Sequence, residues 1–191
     1  MRLMEERILK EGKVLPGGIL KVGSFLNQQI DTELLKEMGK EIASLFASAG
    51  VNKILTIESS GIAIAVAAGM AMDVPVVFAK KHKTINMDGD FYLTTVHSFT
   101  HNTNYNVVVG KDYIKEGDRV LLVDDFLANG YALRGLIDLV NQGRGEVVGV
   151  AVAIEKCFQD GGNALRAQGL RIEALAAIES MSDDSVVFRR P

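Results

Sequence analysis

Val120-Leu-Leu-Val-Asp124-Asp125-Phe-Leu-Ala128-Asn129-Gly130-Tyr131-Ala132 is the stretch from which the fold can be read. Four apolar residues run into two adjacent acids, then into a small-residue turn. Leu133, Leu136, Ile137 and Val140 follow at i, i+3, i+4 and i+7, the spacing of an amphipathic helix. The pattern predicts a buried strand that delivers two carboxylates to its C-terminal edge. The turn after them would present unpaired backbone N–H groups at a helix start, where the helix dipole also favours an anion. Carboxylates beside an anion cradle fit a ligand that carries both sugar hydroxyls and phosphate.

Working outward, short apolar strands alternate with amphipathic helices from about residue 31 onward. Asp31 or Thr32 can cap a helix running to Ala49, with Leu35, Met38, Ile42, Leu45 and Phe46 as its apolar stripe and Gly50 as its stop. Lys53–Ile57 reads as a buried strand, Glu58-Ser59-Ser60-Gly61 as a turn, and a small-residue helix follows before a strand at 75–79. Periodicity is lost over 80–90. Residues 91–99 and 105–109 resemble an antiparallel hairpin turning near 101–104. Residues 119–123 form the strand before the acids, and 147–154 is a long apolar strand after their helix. A short helix over 160–168 and strands over 171–178 and 186–188 complete the pattern.

Strand–helix alternation implies right-handed crossovers and an open, mainly parallel α/β sheet flanked by helices, here with a β-hairpin insertion. Such sheets bind ligands outside the carboxyl ends of their strands, where the acids and both turns lie. The expected organisation is one domain over 1–191. Residues 1–30 form an appendage that, with C-terminal residues, makes a small hood.

Composition narrows the function classes. Of 191 residues, 48% are hydrophobic and 24% charged, ordinary for a soluble globular chain able to bury roughly 70% of its unfolded surface. A formal net charge of −3 argues against a nucleic-acid or acidic-membrane surface. The single cysteine, Cys157, excludes an internal disulfide and fits a reducing cytosol. The first 13 residues are charged and amphipathic (Leu3, Met4, Ile8, Leu9), without a signal peptide's apolar core. Residues 62–72 are too short a run to span a bilayer. A cytoplasmic protein without membrane or nucleic-acid partners is expected.

Several motifs each have a plainer alternative. Acids commonly follow strands, but two acids leading straight into an anion-type turn converge on a site. Glu58-Ser59-Ser60-Gly61 is also good ordinary turn chemistry. Lys80-Lys81-His82-Lys83 reads first as a solvated charge run. His97 and His101 have i, i+4 spacing but lack a metalloprotease's glutamate pattern, and no residue set here predicts a bound metal. The glycines of Gly18-Ile-Leu-Lys-Val-Gly23 have P-loop spacing, yet Ser24 and Phe25 replace the required Lys-Ser/Thr. Cys157 has no obvious base beside it and reads as structural.

The run of four hydrophobics, Asp124-Asp125 and the loop opening a helix resembles the PRPP-binding signature of type I phosphoribosyltransferases. Asp-Asp-Phe-Leu-Ala-Asn-Gly departs from the commonest, threonine-bearing loop and is similar to the branch of that family that uses xanthine. The resemblance covers essentially the whole chain, including Leu15-Pro-Gly-Gly-Ile-Leu20, Asp31-Thr-Glu-Leu-Leu35 and Ile154-Glu-Lys156. It implies that Asp124 and Asp125 hold the ribose hydroxyls, and that Ala128, Asn129, Gly130, Tyr131 and Ala132 hold the 5′-phosphate. It implies that Glu58, Ser59, Ser60 and Gly61 contact pyrophosphate, and that Lys81 belongs to a loop closing over the leaving group. Around a purine it places Leu20, Asn27 and Lys156. It further implies Mg²⁺ carried by PRPP, xanthine as the second substrate, and a homodimer. Guanine/hypoxanthine or adenine transfer, and a PRPP-sensing regulator, stand as the alternatives.

Overall fold

The computed structural model describes residues 1–81, 89–98, 103–182 and 185–190. Its centre is a six-stranded sheet with strand order β10-β9-β8-β7-β3-β4. The strands are β3 (Lys53–Ile57), β4 (Val76–Ala79), β7 (Arg119–Leu127), β8 (Glu146–Lys156), β9 (Ile172–Ser182) and β10 (Ser185–Phe188). All neighbours are parallel except the β9–β10 pair at one edge. This is the mainly parallel α/β sheet expected from the alternation. Chain order runs outward from β3 to β4 on one side and from β7 to β9 on the other. The β3/β7 boundary is therefore where the strand order reverses, the crevice in which such sheets take ligands.

Helices α2 (Thr32–Leu45) and α3 (Gly61–Met72) pack together, and α4 (Tyr131–Gln142) crosses from β7 to β8. Asp31 caps α2 by accepting from the Leu34 amide at 3.0 Å. That bond and the neighbouring Arg7 guanidinium hold the Asp31 carboxyl below its usual range. One core cluster lies around Met38, Ile42, Ile64, Leu121 and Val123, and a second around Leu122, Leu133, Leu136, Leu139 and Val152. Alternate residues of β7 serve opposite faces.

Gly39 is where α2 meets α3. A Cβ there would lie 2.5 Å from the Ala67 carbonyl oxygen and 2.6 Å from its carbon, and backbone cannot swing aside. Gly39→Val is expected to lower unfolding free energy by at least ~2 kcal/mol, the scale of overpacking. A urea midpoint equal to wild type would refute this close approach.

Several boundaries differ from the expected ones. The α2 helix stops at Leu45, not Ala49: Phe46 leaves helical geometry and buries its ring where Gly149 makes room. Arginines satisfy the freed carbonyls, Arg171 on Leu45 (2.7 Å) and Arg119 on Ala49 (2.9 Å) and Gly50 (3.2 Å). The strand before the acids does not end at Val123. It runs to Leu127, because β8 continues beside it and pairs Asp124 with Val152 and Leu127 with Glu155. Lys156 is accordingly the last residue of β8 rather than just beyond it. The predicted 160–168 helix is the shorter α5 (Gly161–Arg166). β9 outruns its expected end because β10 folds back on it.

The N-terminal segment comprises α1 (Arg2–Glu11), the antiparallel pair β1 (Lys13–Leu15) and β2 (Ile19–Lys21), and a π-helical turn, Gly23–Asn27. Met4 and Ile8 are buried, whereas Leu3 and Leu9 face out. The hairpin is β5 (Phe91–Ser98) with β6 (Thr103–Gly110). Its turn, with His101, lies outside the described residues, as do His82 and Lys83. The hairpin joins the sheet through reciprocal 2.9 Å backbone bonds between Lys80 and Val108.

Candidate active site

At the β3/β7 boundary the two strands part. Their pairing ends at Leu55–Leu122, while β7 stays paired with β8 to Leu127. The carboxylates emerge where β7 has lost its β3 partner. Asp124 is 6% exposed, and its Oδ1 accepts from the Asp125 amide at 2.9 Å. Burial, and then the charge of Asp125, push the Asp124 carboxyl well above its usual range, and Lys81 only partly offsets them. Asp125 accepts from the Phe126 amide at 3.0 Å and from Asn27 Nδ2 at 3.4 Å.

The turn between β3 and α3 forms the opposite wall. The Glu58–Ser59 peptide is cis. Glu58 Oε1 accepts from the Lys81 amide at 2.6 Å. Gly61 backs onto the acids: a Cβ there would sit 3.0 Å from Asp124 Oδ1 and overlap the Thr56 hydroxyl. The Lys81 ammonium stands 5.5 Å from the centroid of the Tyr105 ring. Burial, with Asp124 second, raises the Tyr105 phenol. Tyr105 thus brings the hairpin to the edge of the cleft.

After β7, Ala128, Asn129, Gly130, Tyr131 and Ala132 line a cavity of about 140 Å³ with Phe126 and Leu133. Gly130 has φ 77°, a left-handed value that suits glycine, and it turns the chain into α4. No side chain caps α4, whose first residues line this hollow, so its first N–H groups have no side-chain cap. Tyr131 meets the hairpin edge-on, 5.5 Å from the His97 ring.

The third set lies toward the N-terminal segment. Lys156 Nζ donates to the Gly18 carbonyl at 2.8 Å and stands 5.6 Å from the Phe126 ring centroid. Burial lowers the Lys156 pKa. Asn27 reaches Asp125, as above, whereas Leu20 is 6% exposed and packs in the core cluster beneath. The structure therefore gathers the acids, Glu58, Gly61, Lys81 and Asn27 at one cleft, with Lys156 at the Phe126 end. Phe126, Tyr105 and the Gly18 carbonyl were not singled out from the sequence. A phenylalanine between two acids and a turn carries no signal of a ligand contact, and a hairpin tyrosine reveals its neighbour only in three dimensions. Cys157 is buried and its thiol is pushed up, as a structural cysteine requires.

Sheet, crevice and anion-type turn form a site suited to a phosphate-bearing ligand. Residues 27–161 match the family model described as phosphoribosyl transferase domain. The chain belongs to the phosphoribosyltransferase family. Among curated relatives, it is 53% identical over 190 residues to xanthine phosphoribosyltransferase 2 of Clostridium botulinum strain Hall, covering 99% of this chain and 100% of that one. It is 50% identical to xanthine phosphoribosyltransferase of Lactiplantibacillus plantarum, covering 98% and 96%. A solved adenine phosphoribosyltransferase from Giardia lamblia, complexed with 9-deazaadenine, superposes with a TM-score of 0.77 over 93% of this chain and 98% of that one. At 20% identity that likeness concerns the fold alone.

Proposed function

We propose that this chain transfers the 5-phosphoribosyl group of PRPP to N9 of xanthine, releasing xanthosine 5′-monophosphate and pyrophosphate in purine salvage. The observation that carries the reading is the pair of acids where β3 and β7 part, next to the uncapped start of α4. Full-length similarity to relatives named for xanthine supports the choice of base. The C1–N9 bond forms as the C1–O bond to pyrophosphate breaks, and the N9 proton leaves to solvent or a nearby base. Such a displacement needs positioning, charge stabilisation and exclusion of water more than covalent help.

In this reading residues 128–132 hold the 5′-phosphate with backbone N–H groups, and Asp124 and Asp125 hold the ribose hydroxyls and stabilise cationic character at C1. They are not a glycosidase pair, because adjacent residues cannot flank a scissile bond. Glu58, Ser59, Ser60 and Gly61 border the pyrophosphate, and Lys81 neutralises it. Leu20, Asn27 and Lys156 define the purine side. Mg²⁺ carried by PRPP would supply neutralisation of the pyrophosphate charge. Asp125 would offer the carboxylate oxygens that such an ion takes, and its Oδ2 accepts a long 3.4 Å bond from Asn27.

One domain over 1–191 accommodates this, with residues 1–30 and the C-terminal strand as the hood. The hood is tied down by the Met1 amine on the Leu175 carbonyl (2.5 Å) and by Arg190 on Glu5 (2.8 Å). A homodimer in the cytoplasm is the proposed working form. In its support, Met70 is 81% exposed and Val66 42% on an apolar groove between α2 and α3. No helix among the described residues is long and apolar enough to cross a membrane.

Steady-state assays with PRPP–Mg²⁺ and each purine test the reading. Xanthine is expected to give the highest kcat/KM. Losing one well-placed bond to the 2-oxo group should cost hypoxanthine ~1–3 kcal/mol. A preference for adenine would defeat the choice of base, and no nucleotide from any purine would defeat the activity.

A further inference from the structure

Beneath the proposed phosphate loop lies an ion pair between a buried carboxylate and a half-buried arginine, which the mechanism above leaves unused. Glu155, on β8, is 2% exposed and is the strand partner of Leu127, the last residue before the loop. Its two oxygens receive both guanidinium nitrogens of Arg166, from the end of α5, at 2.6 and 2.7 Å. A buried carboxylate is tolerated only with such a partner, and a bidentate fork fixes direction as well as charge. The pair clamps α5 onto the end of β8.

The other end of α5 touches the loop itself. The Gly161 amide donates to the Ala128 carbonyl at 3.2 Å. A Cβ on Gly161 would sit 2.5 Å from the Asn129 carbonyl carbon and 2.6 Å from the Gly130 nitrogen. A Cβ on Gly162 would sit 2.8 Å from Arg166 Nη1, so that glycine makes room for the clamp. Leu165 is fully buried, and a Cβ on Gly130 would lie 3.3 Å from its Cδ1. The loop backbone thus rests directly on backbone at Gly161, with no side chain between them.

We infer that Glu155, Arg166 and Gly161 are positioning residues for the phosphate loop, holding residues 128–130 at the height from which their N–H groups reach the 5′-phosphate. The inference rests on the proposed role of that loop. None of the three need touch substrate. They act by setting the backbone, and displacements of about 1 Å in a binding constellation cost up to ~10²-fold.

The test is steady-state kinetics on Gly161→Ala and Arg166→Lys, with PRPP and xanthine varied separately. KM for PRPP is expected to rise roughly 10- to 100-fold, with kcat within about twofold and KM for xanthine unchanged. A merely structural role would reduce the amount of active enzyme, lowering kcat at unchanged KM, and that result overturns the inference. Should Arg166→Lys misfold by leaving Glu155 poorly paired, the double variant Glu155→Gln/Arg166→Met removes both charges and keeps the KM readout. Asn129→Asp separates the two claims by placing a negative charge in the loop. If it raises KM for PRPP while the α5 variants do not, the positioning role fails alone. If neither loop nor α5 variants move KM for PRPP, the phosphate-loop reading fails with it.

Discussion

Asp124→Asn is expected to lower kcat/KM for nucleotide formation by about 10²- to 10³-fold, the scale of losing one preorganised electrostatic partner of a transition state. The same substitution should raise the melting temperature at neutral pH. Both effects follow from one observation: the Asp124 carboxyl is buried beside Asp125, which pushes its pKa well above 3.8. In the pH window from 3.8 up to the raised value, the native state binds more protons than the unfolded chain, so stability falls as pH rises. Above that window the full penalty of a buried charge is present, and Asn removes it while its side-chain oxygen can still accept from the Asp125 amide. In the wild type, the acid limb of kcat/KM should sit above the ordinary aspartate range, because the ionised form is the one that stabilises positive charge at C1. Thermal melts and pH–rate profiles of the two proteins check this. An Asn variant that melts lower, or that keeps wild-type kcat/KM, would sink the argument.

The parts of this fold that were legible in the sequence are those governed by local rules. Lys53–Ile57 is strand because five residues alternate poorly and bury on both faces, as a central parallel strand must. A cap at Asp31 or Thr32 was readable from residue type, and the structure gives the role to Asp31, whose carboxylate accepts from the amide three residues on. Boundaries set by tertiary partners were not readable. Nothing local says that α2 stops at Leu45, since arginines distant in sequence, Arg171 just before β9 and Arg119 on β7, donate to the carbonyls of Leu45 and Ala49. Nor does a run of acids look like strand, yet β8 holds Asp124 in register. At the site, the two acids and the turn after them were legible because they are contiguous. Tyr105 beside the Lys81 ammonium, and Gly161 beneath the loop, come from distant segments and carry no sequence pattern of their own.

Lys156 presents the sharpest test of base recognition, because its ammonium already has a carbonyl partner. It donates to Gly18 at 2.8 Å, and burial has lowered its pKa, so the lysine is held in place and partly dehydrated before any base arrives. A donor in that state gains more from a purine oxo group than a solvated lysine would, and it gains nothing from an exocyclic amino group, from which an ammonium cannot accept. Lys156→Met should therefore lower kcat/KM for xanthine by about 10- to 100-fold, matching ~1.5–3 kcal/mol for a hydrogen bond to a charged donor. KM for PRPP should stay within about twofold, since the phosphate loop is left intact. Lys156→Gln keeps a donor without the charge and should recover part of the loss. The lowered pKa adds a second signature: the alkaline limb for xanthine should lie below the ordinary lysine range near 10.5 and vanish in the Met variant. Equal losses for xanthine and adenine in Lys156→Met would show that the lysine braces the Gly18 turn without reading the base.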